Sequence, residues 1–343
     1  MDDVRRYRRL VPTAVAFSVL TLVALLAWSA SRDGDLKAAL DRLDWRFLPL
    51  ALSLHVAAHL FWAARYASIA QAAGIPLGAP QAWRIVTAGV FGGAVTPGKI
   101  GGEGLKLALL LRRGVPTARA GRILLVDRAA DLVFFLLMGL VAAALLPPLF
   151  GADATAARAF ALVGTAFLGL FLLVLIAVFA WPAPTARVLG TLARPVLRRL
   201  RRPDAEGRIQ EVVADVRDGV VDLAGRRPGL MIGAALLTAA NWIVEYGVLW
   251  TLLLAFGHDV PYWMVFFVGI VLTLVSNIPI TPGGSGVAEL AALALLTPLA
   301  PGLTPLFVVA WRGATYFYDL IAGGVMAALM LPGRTLSGRH GNP

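Results

Sequence analysis

Two segments decide the fold of this 343-residue chain: Thr96-Pro97-Gly98-Lys99-Ile100-Gly101-Gly102-Glu103 and Thr281-Pro282-Gly283-Gly284-Ser285-Gly286-Val287-Ala288-Glu289. Each interrupts a longer apolar stretch, the first within residues 81–113 and the second within 262–297. Proline lacks a backbone N–H and glycine adopts positive φ, so each segment predicts a break in a helix. Both contain T-P-G-x-x-G followed by Glu and lie 185 residues apart, which indicates an internal duplication.

The composition around these segments is that of a membrane protein. Apolar residues make up 59% of the chain and charged residues 15%, and there is no cysteine. Disulfides, thiolate metal sites and cysteine nucleophiles are therefore excluded. Six further apolar stretches have about the length needed to cross a bilayer, so we predict an all-α polytopic membrane protein. They cover residues 11–30, 47–70, 132–149, 159–181, 229–256 and 305–330.

The distribution of Lys and Arg residues between the two sides of the membrane predicts the topology. If 81–113 and 262–297 are re-entrant hairpins, twenty Lys and Arg residues face the cytoplasm and five face the outside. A full crossing by 81–113 would turn Arg-rich loops outward, against the positive-inside rule. We therefore expect a single transmembrane domain, 1–343, in the cell membrane with both termini cytoplasmic. Its first repeat (47–149) and second repeat (229–330) are inverted, an arrangement typical of transporters.

Cysteine labelling tests this topology. Single cysteines introduced at Arg113 and Arg201 are expected to react only from the cytoplasmic side, and one at Asp259 only from outside. Labelling of the Arg113 position from outside would mean that the first hairpin crosses the membrane, and the inverted repeat would be lost.

The connection between the repeats, residues 182–228, carries ten arginines. Its second half places Ile209, Val212, Val213 and Val216 on one helical face. This pattern predicts a basic amphipathic helix on the cytoplasmic leaflet, attracted by anionic lipid. No recognised nucleic-acid motif accompanies the arginines, so we expect no nucleic-acid partner.

Charged residues at membrane depth are the candidate functional residues, because such residues are rare outside functional or paired positions. Arg65 and Arg84 are expected to snorkel to an interface instead. The predicted substrate-binding set follows the two breaks and the helices beside them: Thr96, Pro97, Gly98, Lys99, Gly101, Gly102, Glu103, Lys106, Asp127, Arg128, Asp131, Asn241, Glu245, Thr281, Pro282, Gly283, Ser285, Glu289, Arg312, Tyr316 and Asp319.

The first break is the strongest candidate for an anion site. A helix that restarts at membrane depth presents unpaired N–H groups at its positive end, where phosphate binds readily. Lys99 and Lys106 add positive charge there, which favours a phospholipid headgroup as the ligand. The alternative is structural: Pro and Gly permit a tight helix crossing, and Lys99 pairs with Glu103. The second break is nearly neutral, with Ser285 in it and Glu289 as its only charge.

Three other pairs of polar residues at helical spacing are weaker candidates for a binding site. Asp127 and Asp131 share a helical face, as do Asn241 and Glu245, and each pair is either a structural clamp or part of a polar pathway. His55 and His59 also share a face, but no further ligand is evident from the sequence, so a polar contact is the prediction. No nucleotide-binding or metalloprotease motif is present, and we expect neither a metal nor a cofactor.

The segments TPGKIGGEGLKLALLLRRG and DRAADL (Thr96–Leu132) and IPITPGGSGVAEL (Ile278–Leu290) resemble the lysylphosphatidylglycerol synthase transmembrane-region family. That family includes the N-terminal flippase domain of the bacterial multiple peptide resistance factor. The family's Pro-Gly turn and following acidic and basic residues fall on Pro97-Gly98, Glu103 and Lys106. The later motif residues fall on Arg128, Asp131 and Pro282 to Glu289. Family members often carry Asn where this chain has Gly92-Gly93, and Arg in place of Lys106.

The resemblance implies two re-entrant helices and lipid translocation. Because no aminoacyltransferase domain follows residue 343, we expect no synthase activity and predict that the protein is not an enzyme. The first hypothesis is a flippase-like translocator of an anionic phospholipid or lipid-linked headgroup. The alternatives are an integral-membrane enzyme acting on lipid phosphates through Asp127, Asp131 and Glu103, or an accessory lipid-binding protein. Membrane lipids are the expected partners, with a homodimer and a separately encoded lipid-modifying enzyme as further candidates.

Overall fold

A computed structural model describes residues 43–96, 99–145, 228–277 and 284–331 continuously, with isolated positions from 16 to 41 and from 166 to 225. Within this part of the chain the secondary structure is helical, without a strand. Only isolated positions of the predicted spans 11–30 and 159–181 and of the connection 182–228 are described, and residues 1–10 and 332–343 lie outside the described part of the chain.

Eight helices make up the continuously described segments. They are α1 (Phe47–Ala72), α2 (Ala79–Ala94), α3 (Ile100–Arg112), α4 (Thr117–Leu145), α5 (Pro228–Ala255), α6 (Tyr262–Ser276), α7 (Val287–Leu296) and α8 (Pro305–Met330), the last with a π-helical segment at Gly313–Phe317.

Three of these helices, α1, α5 and α8, are long and apolar enough to cross a membrane. They match the predicted spans 47–70, 229–256 and 305–330 to within two residues at each end. Residues 132–145 of the predicted span 132–149 belong to the longer helix α4, which begins at Thr117, and residues 146–149 lie outside the described residues. The first half of α4 therefore carries Asp127, Arg128 and Asp131 into the bundle as helical residues. The total of six spans stays a prediction.

Helix breaks occur in both predicted interruptions. The chain leaves helix between α2 and α3, and again between α6 and α7. At 1.5 Å per residue, α2, α3, α6 and α7 are about 24, 20, 22 and 15 Å long, each shorter than a hydrocarbon core of about 30 Å. These lengths suit re-entrant hairpins. The inverted relation of the two hairpins stays a prediction.

Buried apolar side chains form two clusters, one around each hairpin. One cluster contains Ile85 of α2 and Leu110 of α3, packed with side chains of α1 and α4. The other contains Val271 of α6 and Leu296 of α7, packed with side chains of α5 and α8. Helix α1 packs along α5, and the second half of α8 packs on α2. Polar side chains from both halves are thereby brought to the middle of the bundle.

Helices α2 and α3 approach so closely that their contact requires glycine. A Cβ atom on Gly101 would lie 2.6 Å from the carbonyl oxygen of Gly92, and one on Gly92 would lie 2.6 Å from that of Gly101. A contact this short with backbone cannot be relieved by rotating a side chain. The tight helix crossing that the sequence allowed as an alternative is therefore present.

We expect Gly101→Ala to lower the free energy of unfolding by about 1–3 kcal/mol, because the two backbones must separate. The matched control is Gly233→Ala on α5, where an added Cβ meets nothing within 4 Å. The control should raise stability by about 0.5–1 kcal/mol through helix propensity. Thermal unfolding of both variants in detergent micelles measures the difference, and equal midpoints would contradict the argument.

Candidate functional site

Arg65 on α1 is completely buried and binds two carboxylates of α4. Its Nε donates to Asp127 Oδ1 at 2.9 Å, and its two terminal nitrogens donate to Asp131 at 2.6 and 3.0 Å. Thr238 of α5 accepts a further hydrogen bond at 2.9 Å. The predicted snorkelling of Arg65 is wrong, because this side chain joins three helices in the interior. Asp127 and Asp131 do share the predicted face.

Lys106 and Arg128 complete this cluster. The Lys106 ammonium is buried and lies 2.9 Å from Glu103 Oε1 and 3.3 Å from Asp127 Oδ2. It also lies 5.0 Å from the centre of the Trp62 ring. Arg128 donates to Glu103 at 2.6 Å and covers the same tryptophan. Three cations thus face three carboxylates, so the charge of Lys106 is already neutralised by protein groups.

The second break carries a comparable ion pair. Glu289 in the first turn of α7 lies 2.8 Å from Arg312 Nε on α8, and its other oxygen accepts from the Gly286 N–H at 2.6 Å. In each half, the Glu that follows the break pairs with an Arg of the next helix, Glu103 with Arg128 and Glu289 with Arg312. This correspondence agrees with the duplication inferred from the motifs.

A third cluster contains histidines rather than arginines. His55 Nδ1 lies 2.8 Å from Glu245 Oε2, and His55 Nε2 lies 3.2 Å from Asp319 Oδ1. His59 Nε2 lies 3.3 Å from the same Asp319 oxygen. The polar contact predicted for the two histidines is therefore present. The partners come from α5 and α8, far away along the chain.

The clusters surround one cavity of about 600 Å³ in the middle of the described bundle. This volume lies within the range of small-molecule binding sites. Its charged lining consists of His55, His59, Lys99, Glu103, Lys106, Arg128, Asp131, Glu245, Arg312 and Asp319. Asn241 and Tyr316 contribute amide and hydroxyl groups, and Trp62, Phe135, Trp242 and Leu249 contribute apolar surface. Such a mixture suits a polar headgroup with an apolar attachment.

Lys99 differs from the other cations of the cavity. It is exposed to the cavity space, and among the described residues it alone of the lining Lys and Arg side chains has no carboxylate oxygen within 4.0 Å. Glu103, the partner allowed by the structural alternative, binds Lys106 and Arg128 instead. Lys99 is therefore the lining cation that can receive an anion without breaking an existing pair.

The backbone of Lys99 is unusual as well. Its φ of 58° is the only positive value at a non-glycine residue in the described part of the chain. The residue 185 positions later is Gly284, whose φ is 70°. The same left-handed conformation thus occurs in both breaks, once with glycine and once with lysine. A side chain in this conformation costs roughly 1–2 kcal/mol, a cost that the glycine of the second break avoids.

The helix N-terminus at the first break is more fully bonded than the sequence suggested. The Gly101 N–H donates to the Thr96 hydroxyl at 2.8 Å, and that hydroxyl donates to the Gly92 carbonyl at 2.8 Å. The Gly102 N–H donates to the Lys99 carbonyl at 3.1 Å. The N–H groups expected to be free at these two glycines are thus occupied, at Gly101 by the Thr96 hydroxyl and at Gly102 by the Lys99 carbonyl. Positive charge at this break comes chiefly from the Lys99 side chain.

The predicted site residues fall into three groups. Those that line the cavity are Lys99, Gly102, Glu103, Lys106, Arg128, Asp131, Asn241, Glu245, Arg312, Tyr316 and Asp319. Four others, Thr96, Gly101, Asp127 and Glu289, do not line the cavity but bond to residues of the first break or of the lining, and Ser285 is buried in the second break. Pro97, Gly98, Thr281, Pro282 and Gly283 lie outside the described residues.

Among the contributors that sequence reasoning missed are His55 and His59 as partners of the carboxylates, Arg65, and Trp62. The signal was a polar stripe on an otherwise apolar helix. Residues 55, 59 and 62 recur at intervals of four and three, and therefore project from one face of α1. Trp242 was missed as well; its indole N–H donates to Asp131 at 3.0 Å.

The chain is similar to one known protein family and to several membrane proteins of archaea. A family model described as "Lysylphosphatidylglycerol synthase TM region" matches residues 13–323. A UPF0104 membrane protein of Archaeoglobus fulgidus is 24% identical over 84% of this chain and 88% of its own length. Similar proteins of Methanothermobacter thermautotrophicus and Pyrococcus horikoshii are 23% and 24% identical, over 86% and 90% of this chain and 84% and 93% of their own lengths. No solved structure matches the chain.

Proposed function

The chain belongs to the lysylphosphatidylglycerol synthase transmembrane-region family, and on that premise we propose that it is a flippase-like lipid translocator. Its cargo is an anionic phospholipid or a lipid-linked headgroup, which moves between the leaflets of the cell membrane through the central cavity. The observation that carries this proposal is the Lys99 ammonium, unpaired within the described bundle and exposed to a 600 Å³ cavity between membrane-length helices.

Electrostatics favours an anion as the ligand. Holding a cation in a partly dry cavity costs free energy unless a counter-ion lies beside it. The attraction between unlike charges is also stronger in such a cavity than in water. The other lining cations, Lys106, Arg128 and Arg312, already have carboxylate partners. A phosphate entering the cavity therefore gains most at Lys99.

The enzyme alternative has less support, because its acid–base candidates are occupied. Asp127 is fully buried and bound by Arg65, Lys106 and the Trp62 indole N–H. Glu103 is bound by Lys106 and Arg128. These contacts favour a structural role for the two carboxylates.

Transport can be measured with the purified protein in liposomes that carry a trace of fluorescent phosphatidylglycerol or fluorescent phosphatidylcholine. Dithionite added outside destroys fluorescence in the outer leaflet, so translocation appears as continued loss beyond that fraction. We expect accelerated loss for phosphatidylglycerol and a smaller effect for phosphatidylcholine. Rates equal to those of protein-free liposomes for both lipids would reject the proposal.

A further inference from the structure

The histidine cluster has the geometry of a metal site. His55 and His59 lie one turn apart on α1, and their Nε2 atoms converge on a single oxygen of Asp319, at 3.2 and 3.3 Å. The three ligand atoms all lie within 4.8 Å of one another. Both histidines are more than nine-tenths buried, with exposures of 3% and 4%.

We propose that His55, His59 and Asp319 bind a divalent transition-metal ion, with Zn²⁺ as the best match. Zinc binds imidazole nitrogen and carboxylate oxygen at about 2.0–2.1 Å, which places neighbouring ligand atoms about 3.3 Å apart in a tetrahedron. The two separations between histidine nitrogen and Asp319 oxygen agree with that edge, and the two histidine ligand atoms lie within 4.8 Å of each other. All three residues line the cavity, so water or an anionic oxygen from the cavity completes the coordination.

Glu245 can accept the hydrogen bond that a metal-binding histidine usually donates from its second ring nitrogen. Its carboxylate lies 2.8 Å from His55 Nδ1, on the side of the ring away from Asp319. A carboxylate that accepts from Nδ1–H fixes the tautomer, so that Nε2 presents its lone pair to the metal. The arrangement carboxylate–histidine–metal is thereby preformed.

The charges around the histidine cluster leave room for a divalent cation. In the described bundle, each carboxylate of the other clusters has an Arg or Lys partner within 4.0 Å: Glu103, Asp127, Asp131 and Glu289. Glu245 and Asp319 face only histidines at that distance. When both imidazoles are neutral metal ligands, these four side chains carry a charge of −2, which Lys99 of the same cavity offsets in part and a divalent ion neutralises.

Metal binding is tested on the full-length protein purified through a tag without histidine, in detergent. Calorimetric titration with Zn²⁺ is expected to give one site per chain, and Co²⁺ should give the visible absorption bands of a four-coordinate ion. His59→Ala and Asp319→Asn should each abolish the site. Glu245→Gln keeps all three ligands and should weaken binding about 10- to 100-fold.

The control is His258→Ala, because His258 lies between α5 and α6, outside the cavity. This variant should bind Zn²⁺ like the wild type. Absence of Zn²⁺ binding by the folded wild-type protein would overturn the proposal, as would unchanged binding by folded Asp319→Asn. Neither measurement involves lipid, so its failure is distinct from failure of the proposed transport.

Discussion

Lys99→Gly is expected to remove most anionic-lipid transport while leaving the protein at least as stable as the wild type. Losing a charge-assisted contact of about 1–3 kcal/mol corresponds to a fall in headgroup affinity of roughly 5- to 150-fold. Stability should not suffer, since glycine adopts the positive φ of this position without strain, as Gly284 does in the second break. Lipid flux in liposomes and thermal unfolding in detergent, measured on the same preparation, separate the two effects.

Two variants make the Lys99 experiment specific. Lys99→Arg keeps the charge in a different shape and should retain more transport than Lys99→Gly. Arg84→Ala removes an exposed cation of α2 that does not line the cavity, and should leave transport unchanged. Wild-type flux in folded Lys99→Gly would show that the ammonium takes no part in recognition, and the first break would then not be the phosphate site.

The second large effect concerns stability. Arg65→Ala is expected to destabilise the protein by about 3–5 kcal/mol, the range for removing one partner of a buried ion pair. The reason is that Asp127 and Asp131 would remain buried without their main cation. Unfolding in detergent by heat or by added denaturing detergent measures the loss.

The origin of that loss can be tested by removing one carboxylate as well. Arg65→Met combined with Asp131→Asn should recover a large part of the stability, because Lys106 and Arg128 then face Glu103 and Asp127 and the buried charges stay balanced. Arg84→Ala again serves as the exposed control, with a change below about 0.5 kcal/mol. A loss for Arg65→Ala as small as that of Arg84→Ala would contradict the role assigned to this arginine.

The local features of this protein follow from its sequence. Apolar length predicted α1, α5 and α8, and the Pro-Gly segments predicted the two helix breaks. Helical spacing also predicted the faces shared by Asp127 with Asp131 and by Asn241 with Glu245. These features depend on neighbours along the chain, and the helical period of 3.6 residues is enough to derive them.

Only the tertiary structure decided which charges meet. His55 binds Glu245 across 190 residues and Asp319 across 264, and Arg65 binds Asp131 across 66. Such pairs depend on how each helix is rotated and shifted against its neighbours. Helix α1 is apolar on most of its surface, and although its polar stripe marks one face, its sequence does not indicate which helices pack against that face. The sequence alone therefore identified most of the charged residues at membrane depth. The packing of α1 against α5 and α8 determined which of them pair and left Lys99 exposed to the cavity.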